Sequence, residues 1–212
     1  SALDQGLVVM TASVKADVVL LNSGGSNYTS LQAAFERLGA SCQQSADPER
    51  IRAASHVVLP GVGSAESAMS AITAHHLAPL IASLKQPLLG ICLGMQILYE
   101  SSEESDIRCL SLLPGKVQKL APSPGIRIPH MGWNTIRNRS RNPLLHGLDG
   151  ADFYFVHSYA APPGSDTLAV CQHGQEFTAV VGHGNRMGVQ FHPERSGAQG
   201  QHLLGNFLAL SA

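Results

Sequence analysis

Three short apolar runs in the first half of the chain each give way to a turn of small residues and then to a helical pattern. Asp17–Leu21 runs into Asn22-Ser23-Gly24-Gly25-Ser26, after which Leu31, Ala34, Phe35 and Leu38 recur at helical spacing until Gly39. His56–Leu59 is broken by Pro60-Gly61-Val62-Gly63, and from Ser64 a helix-like stretch continues to Leu84. Pro87–Ile91 leads through Cys92 into another helix. Strands with unbroken apolar runs are buried on both faces, and their alternation with helices predicts a parallel α/β sheet. The second half reads differently. Asp152–Tyr159, Leu168–Cys171, Phe177–Val181 and Met187–Phe191 are strand candidates separated by Gly-rich turns, as in antiparallel hairpins, and Gly200–Leu210 predicts a closing helix. Ser101–Asn134 carries no clear period. The expected fold class is α/β, with a mixed, mostly parallel central sheet flanked by helices and an antiparallel C-terminal part.

A chain of 212 residues supports one sizeable core and would cramp two. Residues 1–16 read as an N-terminal extension, in part an expression remnant with Met10 as the natural start, and residues 17–212 as the domain. A net charge of -1 gives no surface for nucleic acid, which needs clustered Lys and Arg. The ten histidines show no metal-ligand spacing, so no metal and no cofactor is expected. Cys42, Cys92, Cys109 and Cys171 lack paired spacing, which fits a reducing compartment better than a disulfide framework. No apolar run approaches the roughly 20 residues of a membrane span, and the N-terminus is not a convincing secretory signal. The expected location is cytoplasmic.

Gly90-Ile91-Cys92-Leu93-Gly94-Met95-Gln96, entered from a strand and leaving in a helix, has the layout of a nucleophile elbow with Cys where hydrolases often carry Ser. Gly90 and Gly94 leave room for chain segments to pass close to the turn. A cysteine at a helix N-terminus is favoured as thiolate, and the Leu93 N–H points at the same place as an oxyanion donor. Such a cysteine needs a proton acceptor held in one tautomer. Gly188-Val189-Gln190-Phe191-His192-Pro193-Glu194 offers both at the end of an apolar strand: Pro193 biases His192 to an extended backbone, so that His192 and Glu194 can face one side. Alone, the first motif is as readily a buried Cys in a Gly-flanked turn, and the second is more often a surface turn. Their combination is what points to a Cys92–His192–Glu194 triad.

At these residues the chain resembles the class I, triad-type glutamine amidotransferases, matching in order at Pro60–Gly63, Gly90–Gln96 and Phe191–Glu194. With Pro129-His130-Met131-Gly132-Trp133-Asn134, Tyr154–Tyr159 and Gly188–Gly197, it is similar to the glutaminase subunits of imidazole glycerol phosphate synthases, from about Asp17 to Leu210. The resemblance implies a flavodoxin-like amidotransferase fold that hydrolyses glutamine to glutamate and ammonia. It also implies a heterodimer with a (β/α)8-barrel synthase, or cyclase, subunit. That subunit would use the ammonia to make imidazole glycerol phosphate and aminoimidazole-carboxamide ribonucleotide in histidine biosynthesis. On this basis Cys92 is the nucleophile, His192 the base and Glu194 its orienter. Gly61, Val62 and Gly63 match the segment offering an oxyanion donor, while Gln96, His157, Ser158 and Tyr159 match positions that hold glutamine. Pro129, His130, Met131, Trp133 and Asn134 match a partner-facing patch, although Trp133 could equally be a core aromatic, and His157 and Ser158 plain strand-end residues. The glycines flanking Val62 are expected to let that peptide turn cheaply. One departure is visible: Asn22–Gly25 stands where such proteins usually carry an acidic turn. The competing readings are an amidotransferase subunit of another synthase, such as the pyridoxal-phosphate or anthranilate systems, a free-standing γ-glutamyl cysteine hydrolase, and a non-catalytic binding module.

Overall fold

The computed structural model describes residues 15–22, 28–61 and 63–212. Val62 and most of the Asn22–Gly25 turn therefore lie outside the described residues, as do residues 1–14 of the expected extension. In chain order the elements are β1 (Asp17–Leu21), α1 (Thr29–Arg37), β2 (Ser41–Ser45), α2 (Pro48–Ala53), β3 (His56–Leu59), α3 (Ala65–Ala74), α4 (Ala78–Ser83), β4 (Leu88–Ile91) and α5 (Leu93–Gln96). Then follow β5 (Ser101–Ser102), β6 (Ile107–Arg108), β7 (Lys116–Lys119), β8 (His130–Thr135), β9 (Arg137–Asn138), β10 (Asp152–His157) and β11 (Tyr159–Ala160). The chain closes with β12 (Thr167–His173), β13 (Gln175–His183), β14 (Arg186–Val189) and α6 (Gly197–Leu208).

Among the described residues the main sheet has eight strands in the order β2-β1-β3-β4-β14-β13-β12-β9. Its five leading strands pair in parallel, and β14 turns the sheet over to antiparallel pairing with β13, then β12 and β9. The alternation of Cβ along a strand divides each apolar run between two cores. Val18 and Leu20 of β1 pack on one side with Phe35, Leu203 and Phe207; Val19 and Leu21 pack on the other with Ile51 and Ile72. This double burial is why the runs read as continuous.

The Ser64–Leu84 stretch is two helices, not the single one expected. α3 ends at Ala74 with His75 as its cap, His76 takes a left-handed φ of 54°, and α4 starts anew with Pro79 in its first turn. Pro79 has no N–H to continue the ladder, and its ring would clash with the carbonyl four residues back, at His75. The helix after Cys92 is a single turn, Leu93–Gln96. Asp152–Tyr159 divides into β10 and β11. The unassigned Ser101–Asn134 region holds most of a four-stranded sheet, β11-β7-β5-β6, whose members are two to four residues long, and it runs on into β8, which pairs with β10 as a separate ribbon.

β3 and β4 bring their C-terminal ends together, with Leu59 opposite Gly90. The elbow chain crosses there so closely that a Cβ on Gly94 would sit 1.9 Å from the Leu59 carbonyl oxygen. Nothing at that point can rotate aside, because the obstacle is backbone. Gly94→Ala is therefore expected to cost about 3 kcal/mol or more, read as a lowered urea midpoint; wild-type stability in that variant would show that the approach is looser than described.

Candidate active site

Cys92 follows β4 with φ 52° and ψ -110°, a left-handed backbone that a side-chain-bearing residue adopts only under constraint. The constraint is the crossing at Gly94 together with the Cys92 N–H bond to the Val189 carbonyl (2.8 Å), which pins the turn to β14. This strained corner lifts the thiol out of the sheet into a cleft of about 360 Å³, lined also by Pro60, Gly61, Leu93, Val156, His192 and Glu194. Leu93, the first residue of the α5 turn, lines the cleft beside Cys92, and its N–H is one that a helix leaves without a partner of its own. A larger, shallower depression of about 730 Å³ between Asn138 and Asp149 includes none of the three triad residues.

His192 reaches the same cleft from the end of β14. Its Nδ1 lies 2.8 Å from Glu194 Oε1, and both side chains are nearly buried. That bond puts the ring hydrogen on Nδ1 and turns Nε2 toward the thiol. The geometry differs from the expected extended arm. His192 is extended, but Pro193–Arg195 is a 3-10 turn, and the turn carries Glu194 back under the ring. The turn is braced from several sides. The His192 N–H donates to the Tyr154 carbonyl (3.0 Å), and its own carbonyl accepts from the Ser196 hydroxyl (2.6 Å). Phe191 stacks on Phe153 with centroids 3.9 Å apart. Burial opposes charge on His192, yet hydrogen bonds and attraction from Cys92 and Glu194 outweigh it and raise its pKa to about 10.

Other expected site residues fall elsewhere. Gly63 lines the cleft with a φ of 89°, as a turning peptide requires. At Gly61 a Cβ would meet the Gly94 nitrogen at 2.3 Å, so Gly61 is packed against the elbow. Gln96, His157, Ser158 and Tyr159 do not line the cleft. Gln96 and His157 are buried beneath it and share the Tyr159 carbonyl, at 2.9 Å each. On β8, Pro129 precedes the strand and is exposed, Met131 and Trp133 are 63% and 59% exposed, and Asn134 is half-buried. His130, expected on the same patch, is a correction: it is 3% exposed, because it falls on the inward side of the strand and its Nδ1 meets His157 Nε2 at 2.9 Å. Residues that the sequence did not single out include Tyr28, Ser30 and Arg195 at the cleft, Ser196 beneath His192, and Gln190. Gln190 lies within a motif already in view and Arg195 directly after it; Tyr28 and Ser30 gave no signal.

The fold and cleft bring together a cysteine on a strained strand-to-helix turn and a histidine–carboxylate pair. A family model described as "Glutamine amidotransferase class-I" matches residues 19–210. The "Imidazole glycerol phosphate synthase subunit HisH" of Xanthomonas axonopodis pv. citri is 51% identical over 92% of this chain and 98% of its own. The protein of the same name from Xylella fastidiosa is 48% identical over the same shares. Among solved structures, one titled as a glutamine amidotransferase superposes with a TM-score of 0.71 at 18% identity, covering 91% of this chain and 98% of that one. PurLQS from Thermotoga maritima gives 0.70 at 20% identity, over 92% and 98%. At such identities the structures speak for the fold alone. The chain belongs to the class-I glutamine amidotransferase family, and within it to the imidazole glycerol phosphate synthase HisH subunits.

The buried pair His130–His157 has a measurable consequence. Burial, then the rings of His157 and His173, push the pKa of His130 down to about 3. Burial also lowers His157 to about 4, against the hydrogen bond to the Tyr159 carbonyl. An unfolded His titrates near 6.5, so below that pH the unfolded chain binds protons that the folded chain refuses. The stability these rings carry is complete above about 6.5 and is lost as pH falls toward 4, by up to about 1.4 kcal/mol per pH unit for each ring. His192 does not contribute to this slope, since with a raised pKa it is charged in both states below 6.5; its own contribution fades as pH rises from there toward 10. Urea melts between pH 7 and 4.5 are expected to give a flatter acid slope for His157→Gln than for the wild type. Equal slopes would contradict the neutral-pair assignment.

Proposed function

We propose that this chain is a glutaminase that hydrolyses glutamine to glutamate and ammonia through Cys92, His192 and Glu194, and feeds the ammonia to a barrel-type cyclase subunit. The observation that carries the reading is the meeting of the strained elbow Cys92 with the Glu194-oriented His192 in a single cleft, within a chain of this family. With its pKa raised by Cys92 and Glu194, His192 already holds the Sγ proton on Nε2 as an imidazolium, and the paired Sγ attacks the amide carbon of glutamine. The oxyanion that forms falls toward the Leu93 N–H, and a donor of this kind is worth about 2.7–4 kcal/mol. Return of the proton to the amide nitrogen expels ammonia and leaves a γ-glutamyl thioester on Cys92. Water, deprotonated by the same ring, then attacks the thioester and frees glutamate.

The delivery half of the reading rests on the β8 surface. Met131 and Trp133 are large apolar side chains left in the open, and Trp133 meets Tyr154 edge to face at 6.1 Å. β8 pairs with β10, whose Val156 carbonyl lies 3.8 Å from Cys92 Sγ. A cyclase docked on Met131 and Trp133 would therefore sit one strand away from the point where ammonia is released. Exposed aromatics of this kind are typical anchors of protein interfaces. The similarity to subunits named for imidazole glycerol phosphate synthase supports a cyclase that makes imidazole glycerol phosphate, in histidine biosynthesis, as the user of the ammonia. We place it in the cytoplasm: all four cysteines are free thiols, and among the described residues no helix is long and apolar enough to cross a membrane. The catalytic unit is the single domain spanning residues 17–212.

In the assembled complex, Cys92→Ala is expected to abolish glutamine-dependent synthesis while leaving synthesis from ammonium salts and co-elution with the cyclase intact. Glutamate release persisting in that variant would remove Cys92 from the nucleophile's place.

A further inference from the structure

Gln190 is fully buried immediately behind the nucleophile. Its side-chain Nε2 points at Cys92 Sγ from 3.6 Å, on a sulfur that also has His192 as a hydrogen-bond partner. Its Oε1 accepts from Gln96 Nε2 at 3.1 Å. The same Gln96 nitrogen donates to the Tyr159 carbonyl at 2.9 Å, and that carbonyl also receives the His157 ring N–H at 2.9 Å. The chain of bonds has one consistent direction. Flipping the Gln190 amide would set its NH2 against the NH2 of Gln96 and its oxygen against the sulfur, breaking both contacts of a buried amide. The strand adds a second constraint, since the Gln190 backbone N–H is held by the Ala179 carbonyl at 2.9 Å.

We propose that Gln190 is a positioning residue for glutamine hydrolysis, its locked amide N–H serving as a second donor that holds the Cys92 sulfur in its anionic form and aims it into the cleft. The assignment rests on Cys92 being the nucleophile. With the proton on His192, negative charge collects on Sγ at the foot of the cleft, where a hydrogen bond to the charged form is roughly twice as strong as one to the neutral form. Neutral amides suit the place, because a cation there would compete with the His192 imidazolium. Gln96, in this arrangement, acts through Gln190: it fixes which end of the amide meets the sulfur.

The test uses the full-length chain and two readouts. Alkylation of Cys92 by iodoacetamide, followed by peptide mass mapping across pH, reports the ionisation of the sulfur without any glutamine. Steady-state hydrolysis, with the cyclase present, separates kcat from KM. Gln190→Met keeps the length and removes the donor. It is expected to move the alkylation profile to higher pH and to lower kcat roughly ten- to a hundredfold with little change in KM. Gln96→Met leaves Gln190 in place but frees its amide to turn, and is expected to shift the same profile by less. It keeps the question decidable if Gln190→Met fails to melt as a folded protein. A folded Gln190→Met with a wild-type alkylation profile, or an unmoved profile in Gln96→Met, would overturn the proposal. Because the alkylation arm needs no glutamine, its outcome is separate from whether the wild type is a glutaminase.

Discussion

The site depends on one backbone contact, the passage of the elbow at Gly94 against the Leu59 carbonyl. A left-handed φ at a cysteine costs on the order of 1–3 kcal/mol and survives only where the surroundings over-determine it. Here the surroundings are the ends of two neighbouring parallel strands, β3 and β4, and the bond from Cys92 to Val189 on the next strand, β14. Relax that crossing and Cys92 could return to an ordinary backbone, with its sulfur drawn back toward the sheet. The same region places Gly61 against Gly94, so the loop facing the nucleophile and the elbow itself are one packed unit.

A second contact of the same kind fixes the base. A Cβ on Gly200 would lie 1.8 Å from the Pro193 carbonyl oxygen, so helix α6 presses directly on the turn between His192 and Glu194. α6 is in turn anchored in the core by Leu203, Leu204 and Phe207. Cys92 and His192 are thus each braced by a close backbone crossing, and both are tied to β14. Electrostatics then divides the histidines by role. His192, beside Cys92 and Glu194, is pushed toward the charged form, whereas His130 and His157 are kept neutral by burial and serve as fixed donors and acceptors. The difference comes from the neighbours each ring meets, since all three are nearly buried.

The parallel half of the fold was legible because its strands are buried on both faces and leave unbroken apolar runs at β1, β3 and β4. β2 was not, since Ser-Cys-Gln-Gln-Ser is polar and buries only Cys42 at the sheet's edge. The short strands of the Ser101–Asn134 region left no period because they are ordered by what they pack on, not by their own pattern. In the site, Cys92, His192 and Glu194 announced themselves through spacing and glycine placement. The carboxylate's approach was misjudged because a 3-10 turn after Pro193 does what an extended strand was expected to do. His130 was misplaced for a reason of parity: alternate residues of β8 face opposite ways, so a run that reads as one patch is split between core and surface. Gln190 lay inside the Gly188–Glu194 motif, but a glutamine before an aromatic is ordinary until its amide is seen against the sulfur.

The central claim is that the crossing at Gly94 makes Cys92, of the four cysteines, the reactive one. The direct measurement is labelling of the native chain with the chloroketone analogue of glutamine, followed by peptide mass mapping. The account predicts one adduct, on Cys92, blocked by excess glutamine and absent from a chain in which His192 is replaced by Ala. An adduct on Cys42, Cys109 or Cys171 in place of Cys92, or labelling of Cys92 that glutamine does not compete away, would contradict it.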